Sequence, residues 1–294
     1  MFTNYKQVLP SSFVLCTAGV QREFCLTTLL QLQLDQSNLR MSGYPSSFVE
    51  GFHDASSVSQ MTYRQIGKTD MAVSTLSFGA SSLGGVFRTT NDDESAKLVE
   101  NAVKQGINYI DTAPWYGQGR SEAVLGKAFK NIPRKAFYIA TKVGRYEQEI
   151  GKMFDFSRDR IIKSVDESLK RLGLEYIDLI QVHDVEFCQS LEQLVKYTIP
   201  ALLELKSSGK VRYIGLTGYN LDTLMRLISL LPPDTVDAIL TYCRCTLIDQ
   251  TLLGSAMNFF TSRNIGIINA SPVSMGLLSH RGPPAWHPAT ASIK

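Results

Sequence analysis

Four residues of this 294-residue chain carry side chains that could move a proton together: Asp111, Tyr116, Lys142 and His183. Asp111 lies in "NYIDTAPWYGQGRSE", with Tyr116 five residues on, while Lys142 closes "IATK" and His183 follows "LIQV". Three of the four stand where an apolar run ends, so a charged or polar group sits where a core would otherwise continue. Singly, each has an ordinary explanation: a strand-end Asp caps a helix, a Lys reaches solvent, a His is satisfied by its neighbours. Together they make one mechanism. A phenol with a pKa of about 10 is a poor acid near neutrality. A neighbouring ammonium stabilises the phenolate and lowers that value, and a carboxylate keeps the lysine charged and in place. The tyrosine can then give a proton to, or take one from, a carbonyl or alcohol oxygen, with a neutral imidazole donating to the same oxygen. With no metal-ligand cluster and no nucleophile elbow, such acid–base work suits hydride transfer to or from a nicotinamide.

These residues need elements that bring strand ends to one place. Apolar runs recur at "LSFGA" (76–80), "YIDT" (109–112), "FYIATK" (137–142), "YIDLIQV" (176–182), "VRYIGLT" (211–217), "VDAILTY" (236–242) and "IGIINA" (265–270). Helical patterns lie between them. In "SRDRIIKSVDESLKRLGL", Ile161, Val165, Leu169 and Leu172 share a face and Gly173 ends the helix. "SLEQLVKYTIPALLELKSSGK" reads as another helix, closed by Gly209. "MTYRQIG" and "MAVSTLSFG" flank the turn Lys68-Thr69-Asp70 as a short hairpin. Near-continuous apolar strands alternating with helices predict a parallel sheet covered on both faces. No GxGxxG follows an early strand, which disfavours a doubly wound dinucleotide fold. The expected architecture is α/β, a (β/α)8 TIM barrel, whose strand ends converge on one mouth.

That barrel needs eight strands and the sequence offers seven. After "SPVSMGLLSH" comes "RGPPAWHPATASIK", with no eighth βα unit, so the domain at 61–294 is expected to be C-terminally incomplete. An open seam would expose strand edges. Residues 1–60 have no sustained period and are expected to be a poorly ordered extension, linker-like from Ser42 to Gln60; the extension could cover the gap, though nothing in it reads as a replacement parallel strand.

A net charge of +3 with no basic stripe disfavours nucleic acid, and the apolar runs are too short to span a bilayer. Cys16, Cys25, Cys188, Cys243 and Cys245 show no CxxC spacing, consistent with a reducing cytosol. Cys243 and Cys245 are expected to share a face of one strand. The expected partner is a small sugar or carbonyl compound, and no metal is expected.

"DTAPWYGQGRSEAVLGKA", "ATKVGRY", "LIQVHD" and "INASPVSMGLL" resemble the aldo-keto reductase superfamily over 61–278. In that family an Asp, Tyr, Lys and His tetrad matches Asp111, Tyr116, Lys142 and His183 in order. "TKVGRY", "INASP" and "GPPAWHP" resemble the L-galactose dehydrogenase subgroup. The resemblance implies NAD-linked oxidation of an aldose at C1 to its lactone, with Tyr116 as base. It also implies that Gly79, Ala80 and Ser81 lie near the ribose or nicotinamide, with Asp111 beside them, and that Ser271 and Leu277 lie along the pyrophosphate. Where many members hold the nicotinamide amide with Ser-Asn, this chain has Thr217 and Gly218. The family's strand-borne Gln is absent from "VDAILTYCRCT", and Ala270 stands where an aromatic residue often stacks. Adenosine-phosphate contacts in the family follow the eighth strand, so NAD rests on the subgroup and NADP stays open. Trp115 is expected to wall the sugar site beside His183, and Arg145 and Tyr146 to face the same mouth. His287 is expected at the surface and Asp184 as a cap. The alternative is a truncated or splice product that keeps the pocket but does not turn over. A further possibility is NADPH-linked reduction of carbonyls by the same four residues.

Overall fold

A strand that is apolar on both faces can be buried only between other layers, and the chain alternates such strands with amphipathic helices. The computed structural model describes residues 13–18, as backbone, and residues 43–294. In chain order the elements are β1 (Phe13–Ala18), α1 (Ala55–Gln60), β2 (Tyr63–Gln65), β3 (Ala72–Ser74), β4 (Leu76–Gly79), α2 (Asp92–Lys104), β5 (Tyr109–Asp111) and α3 (Arg120–Phe129). Then follow β6 (Tyr138–Val143), α4 (Arg158–Leu172), β7 (Ile177–Val182), α5 (Ile199–Ser207), β8 (Val211–Gly218), α6 (Leu221–Ser229), β9 (Ala238–Tyr242), α7 (Ser255–Thr261) and β10 (Gly266–Ala270). All seven expected strands are present, each parallel to its neighbours. β2 and β3 form the expected antiparallel hairpin.

The seam is closed from the other end of the chain. β1 lies parallel between β10 and β4, with Cys16 opposite both Ala270 and Ser77, so eight strands complete a barrel. Among the described residues no strand follows β10, in keeping with the missing eighth βα unit at that end. The extension does hold a parallel strand, contrary to expectation. Six residues in a stretch with no sustained hydrophobic period carry no βα rhythm that the sequence alone shows. Their strand state comes from backbone bonding to two neighbours. The linker-like stretch also differs: Asp54 accepts from the amides of Ser56 and Ser57 and starts α1. Residues 1–12 and 19–42 lie outside the described residues.

Side-chain alternation divides the interior into two cores. Tyr109, Ala140, Leu179, Leu240 and Ile268 fill the barrel together with Ile66, Met71 and Val73 from the hairpin region. Outside the strands, Val99, Val165, Leu202, Leu224 and Phe260 pack helices on the sheet. Each fully buried Leu, Ile or Val contributes about 1.5–3 kcal/mol. α4 follows the sequence closely, ending at Gly173. The helix expected over 190–210 is broken into a turn at Leu191–Gln193, a wider π turn at Leu194–Thr198, and α5. Pro200 explains the change, because it has no amide proton to return to residue 196 and its ring crowds that carbonyl. Among the described residues no helix is long and apolar enough to cross a membrane.

Candidate active site

The inward positions of β5, β6 and β7 alternate with outward ones, and the inward set ends at the barrel mouth in Asp111, Lys142 and His183. Lys142 is wholly buried and spends its three donors on Asp111 Oδ1, the Thr112 carbonyl (2.8 Å) and Tyr116 Oη (3.3 Å). The Tyr116 loop is seated by glycine-to-glycine contact. A Cβ on Gly84 would collide with the Tyr116 carbonyl, and one on Gly117 with Gly84. The Tyr116 ring meets His183 edge-on at 6.0 Å between centroids. The structure therefore brings all four sequence-predicted residues into one cluster.

Electrostatics then assign protonation states. Burial, opposed by Lys142 and helped by Asp111, pushes the Tyr116 phenol up to about 12. The lysine acts in the expected direction, but loss of water around the phenol outweighs it. Burial opposes the Lys142 charge, yet Asp111 and Tyr116 beside it hold its pKa above 10.5. Burial, with Lys142 and Arg145 adding to it, drives His183 well below 6.5. The resting cluster is thus a phenol, an ammonium and a neutral imidazole. That set can donate to an oxygen as it stands, and can accept a proton once the phenol is ionised.

Around it lies a second assembly. The Arg145 guanidinium sits 3.9 Å from the Trp115 ring centre and 5.3 Å from that of Phe154, and pairs with Asp184 Oδ2 at 2.7 Å. Asp184 has φ of +53°, its amide donates to Thr217 Oγ1 (2.9 Å), and burial raises its carboxyl pKa against the pull of Arg145. Asp184 stands at the cap position of the turn Val185–Phe187, as the sequence suggested, but its side chain makes no capping bond and is an ion-pair partner instead. Tyr242 Oη donates to Thr217 Oγ1 (3.2 Å), and the Tyr219 and Tyr242 rings pack at 4.5 Å. Trp115 Nε1, Arg145 Nε and His183 Nδ1 are buried without hydrogen-bond partners among the described residues.

The remaining expectations divide. Gly79 lies in register with Asp111, and Thr217 joins the Asp184–Tyr242 group. The Ala80 carbonyl accepts from Ser121 Oγ (2.8 Å), and Ser81 follows in the turn Ala80–Gly84. Gly218 abuts Glu186 and Leu224 on the helix side of the sheet. Ser271 (φ +56°) and Leu277 lie in the loop after β10 and make no hydrogen bond to the four central residues. Tyr146 packs beneath Arg160 of α4, with its hydroxyl accepting from the Gly144 amide (2.9 Å). Cys243 falls just past β9 with φ of +60°, so it and Cys245 do not share a strand face. His287 is half-buried and contacts the Ser274 carbonyl through Nε2 at 3.1 Å. The sequence reading passed over Gln181, whose Nε2 donates to Asp111 Oδ2 at 2.7 Å. Its signal was available: it stands two residues before His183, on the same strand face.

A profile of the Aldo/keto reductase family matches residues 75–288. L-galactose dehydrogenase of Arabidopsis thaliana is 46% identical over 239 residues, covering 81% of this chain and 73% of that one. D-threo-aldose 1-dehydrogenase of a Pseudomonas species is 32% identical over 233 residues, covering 72% and 70%. The solved holo form of an aldo-keto reductase from Bacillus halodurans is similar with a TM-score of 0.64 and 30% identity, covering 79% of this chain and 73% of that one. The profile match and these relatives agree with the barrel, and the chain belongs to the aldo/keto reductase family of oxidoreductases.

Proposed function

We propose that this chain is an NAD-linked aldose dehydrogenase that oxidises L-galactose, or a sugar of similar shape, at C1 to the lactone. The observation that carries the reading is Lys142, wholly buried and shared between Asp111 and Tyr116. The similarity to L-galactose dehydrogenase and D-threo-aldose 1-dehydrogenase supports the substrate class.

The C1 hydroxyl of the sugar sits against Tyr116 Oη and the neutral His183 imidazole. Tyr116, as phenolate, takes the hydroxyl proton while the C1 hydride leaves, and the C1–O bond becomes the lactone carbonyl. Lys142 holds the phenolate charge before that step, and Asp111 holds Lys142. Bound NAD supplies the hydride acceptor. The mouth suits a hydroxyl-rich ligand and a carboxamide, since Trp115 Nε1 and Arg145 Nε are buried donors without partners among the described residues. Gly79, Ala80, Ser81, Thr217, Gly218, Ser271 and Leu277 would line the dinucleotide, and Trp115 the sugar. NAD rather than NADP is part of the proposal, as is a cytosolic place of work.

β1 in the seam supports a working enzyme over a pocket that binds without turnover. Because the phenol is pushed up by burial, oxidation is expected to rise with pH through the neutral range. The test is NADH formation with L-galactose, its epimers and small aldehydes, with the product identified by mass. Lactone formed from L-galactose with NAD supports the reading. Turnover of aldehydes with NADPH alone would replace it with carbonyl reduction, and dinucleotide binding without turnover of any of them would leave a binding chain.

A further inference from the structure

We propose that Gln181 is a positioning residue for the proton relay: its amide fixes the second oxygen of Asp111, so that the first stays aimed at Lys142 beneath Tyr116. The inference rests on the relay proposed above and adds a residue to it.

Three observations carry it. Gln181 Nε2 donates to Asp111 Oδ2 at 2.7 Å while Lys142 takes Oδ1, so each carboxylate oxygen has its own donor. The bond reaches from β7 to β5 past β6, whose inward Ala140 is small and whose Lys142 is in register with Gln181. On the other side, Gly215 of β8 is also in register with Gln181, and a Cβ there would approach Gln181 Cγ to 3.1 Å. A small residue on one side and a glycine on the other make room for one long polar side chain. A residue whose task was to fill space would be aliphatic, as Leu179 and Leu240 are in the same core. Gln181 is instead a fully buried amide whose Oε1 meets no donor among the described residues. A half-satisfied amide is costly in a dry core, which points to a task for its other end.

That task is electrostatic as well as geometric. The Asp111 charge raises the proton affinity of both Tyr116 and Lys142. An amide hydrogen on Oδ2 draws part of that charge away and prevents the carboxylate from turning. Other groups around the phenol are Lys142 from β6, Arg145 beyond it, His183 and Asp184 after β7, Tyr219 after β8 and Tyr242 from β9. None of these makes a hydrogen bond to Asp111 Oδ2, so removing the amide changes one contact of the relay.

The experiment is the pH profile of kcat for NAD-dependent sugar oxidation by the full chain and by Gln181→Met, Gln181→Glu, Gly215→Ala and Tyr116→Phe. Gln181→Met keeps the length and loses the donor. We expect kcat to fall about tenfold near neutrality with KM for the sugar little changed, and the apparent pKa to rise by about one unit. In Gln181→Glu the protonated carboxyl donates as the amide does, so its rate stays within a few fold of the parent until that carboxyl ionises, and then drops. Gly215→Ala, which crowds the amide from the far side, gives a smaller shift of the same sign and stands in if Gln181→Met does not fold. Tyrosinate absorbance titrations of the parent and each variant, each minus its Tyr116→Phe counterpart, report the same shift without substrate. A profile and a titration that do not move in Gln181→Met, or in Gly215→Ala if the former is unfolded, overturn the inference alone. Sugar oxidation that survives Tyr116→Phe overturns the relay, and the inference falls with it.

Discussion

At the floor of the barrel, Asp178 accepts from Arg134 (2.6 Å), Arg212 (2.9 Å) and the Ile139 amide (2.9 Å). Asp237 there accepts from Lys206 (3.1 Å) and the Ile214 amide (2.9 Å). The carboxylates are buried, but their cationic partners reach solvent, with Arg134 and Arg212 about a quarter and a third exposed (25% and 32%). At the mouth the arrangement is reversed. The cation itself, Lys142, is wholly buried, and it faces Asp111 and a phenol that can lose its proton. The floor spreads each buried charge over several fixed donors and keeps one end wet. The mouth concentrates charge on groups that titrate, beside buried donors that still lack partners. Two ionic clusters in one barrel thus serve different ends, one holding strand starts together and the other holding a proton in readiness.

Substitutions at the two ends should separate these roles. The largest effect is expected from Lys142→Met. It leaves Asp111 uncompensated in the core, at about 3–5 kcal/mol of stability, and it removes phenolate stabilisation, so kcat falls by about 10²–10⁴. Thermal melts and initial rates check both parts, and a stable variant that keeps its rate would erase the distinction. At the floor, Arg212→Met should cost about 1–3 kcal/mol by denaturant unfolding, because Asp178 loses one donor and keeps two. Its kcat should stay within about twofold of the parent. A comparable loss of rate there would mean that the two ends are coupled.

The smallest effect sharpens the mouth alone. His183 is held neutral well below 6.5, so below that pH the unfolded chain takes up a proton that the folded chain refuses. Its contribution is fully present above 6.5 and is lost as pH falls, by up to about 1.4 kcal/mol per pH unit. Comparing unfolding free energies of the parent and His183→Asn between neutral and mildly acid pH tests this. The parent should lose more stability on acidification, and parallel curves would contradict a neutral buried imidazole.

The seven strands and the four central residues were legible in the sequence because both are local signals: apolar runs of strand length, and polar groups where those runs stop. β1 was not, since its strand state depends on β10 and β4 at its sides. The Arg145–Asp184 pair joins residues 39 apart, and no pattern in either segment names the other. The high pKa of Tyr116 was also hidden. Spacing shows that a lysine can stand near a tyrosine, but only packing shows how much water the phenol has lost. Gln181 was readable and overlooked, since one amide inside an apolar run looks like a tolerated exception until alternation places it beside His183.

The central claim is that the buried Lys142 serves the Tyr116 proton. The most direct measurement is the single-turnover rate of L-galactose oxidation with NAD in the parent and in Tyr116→Phe, which removes one oxygen and preserves the ring. The account predicts a loss of about 10²–10⁴ in that rate, with dinucleotide binding and melting temperature nearly unchanged. A Tyr116→Phe chain that oxidises the sugar at the parent rate would contradict it.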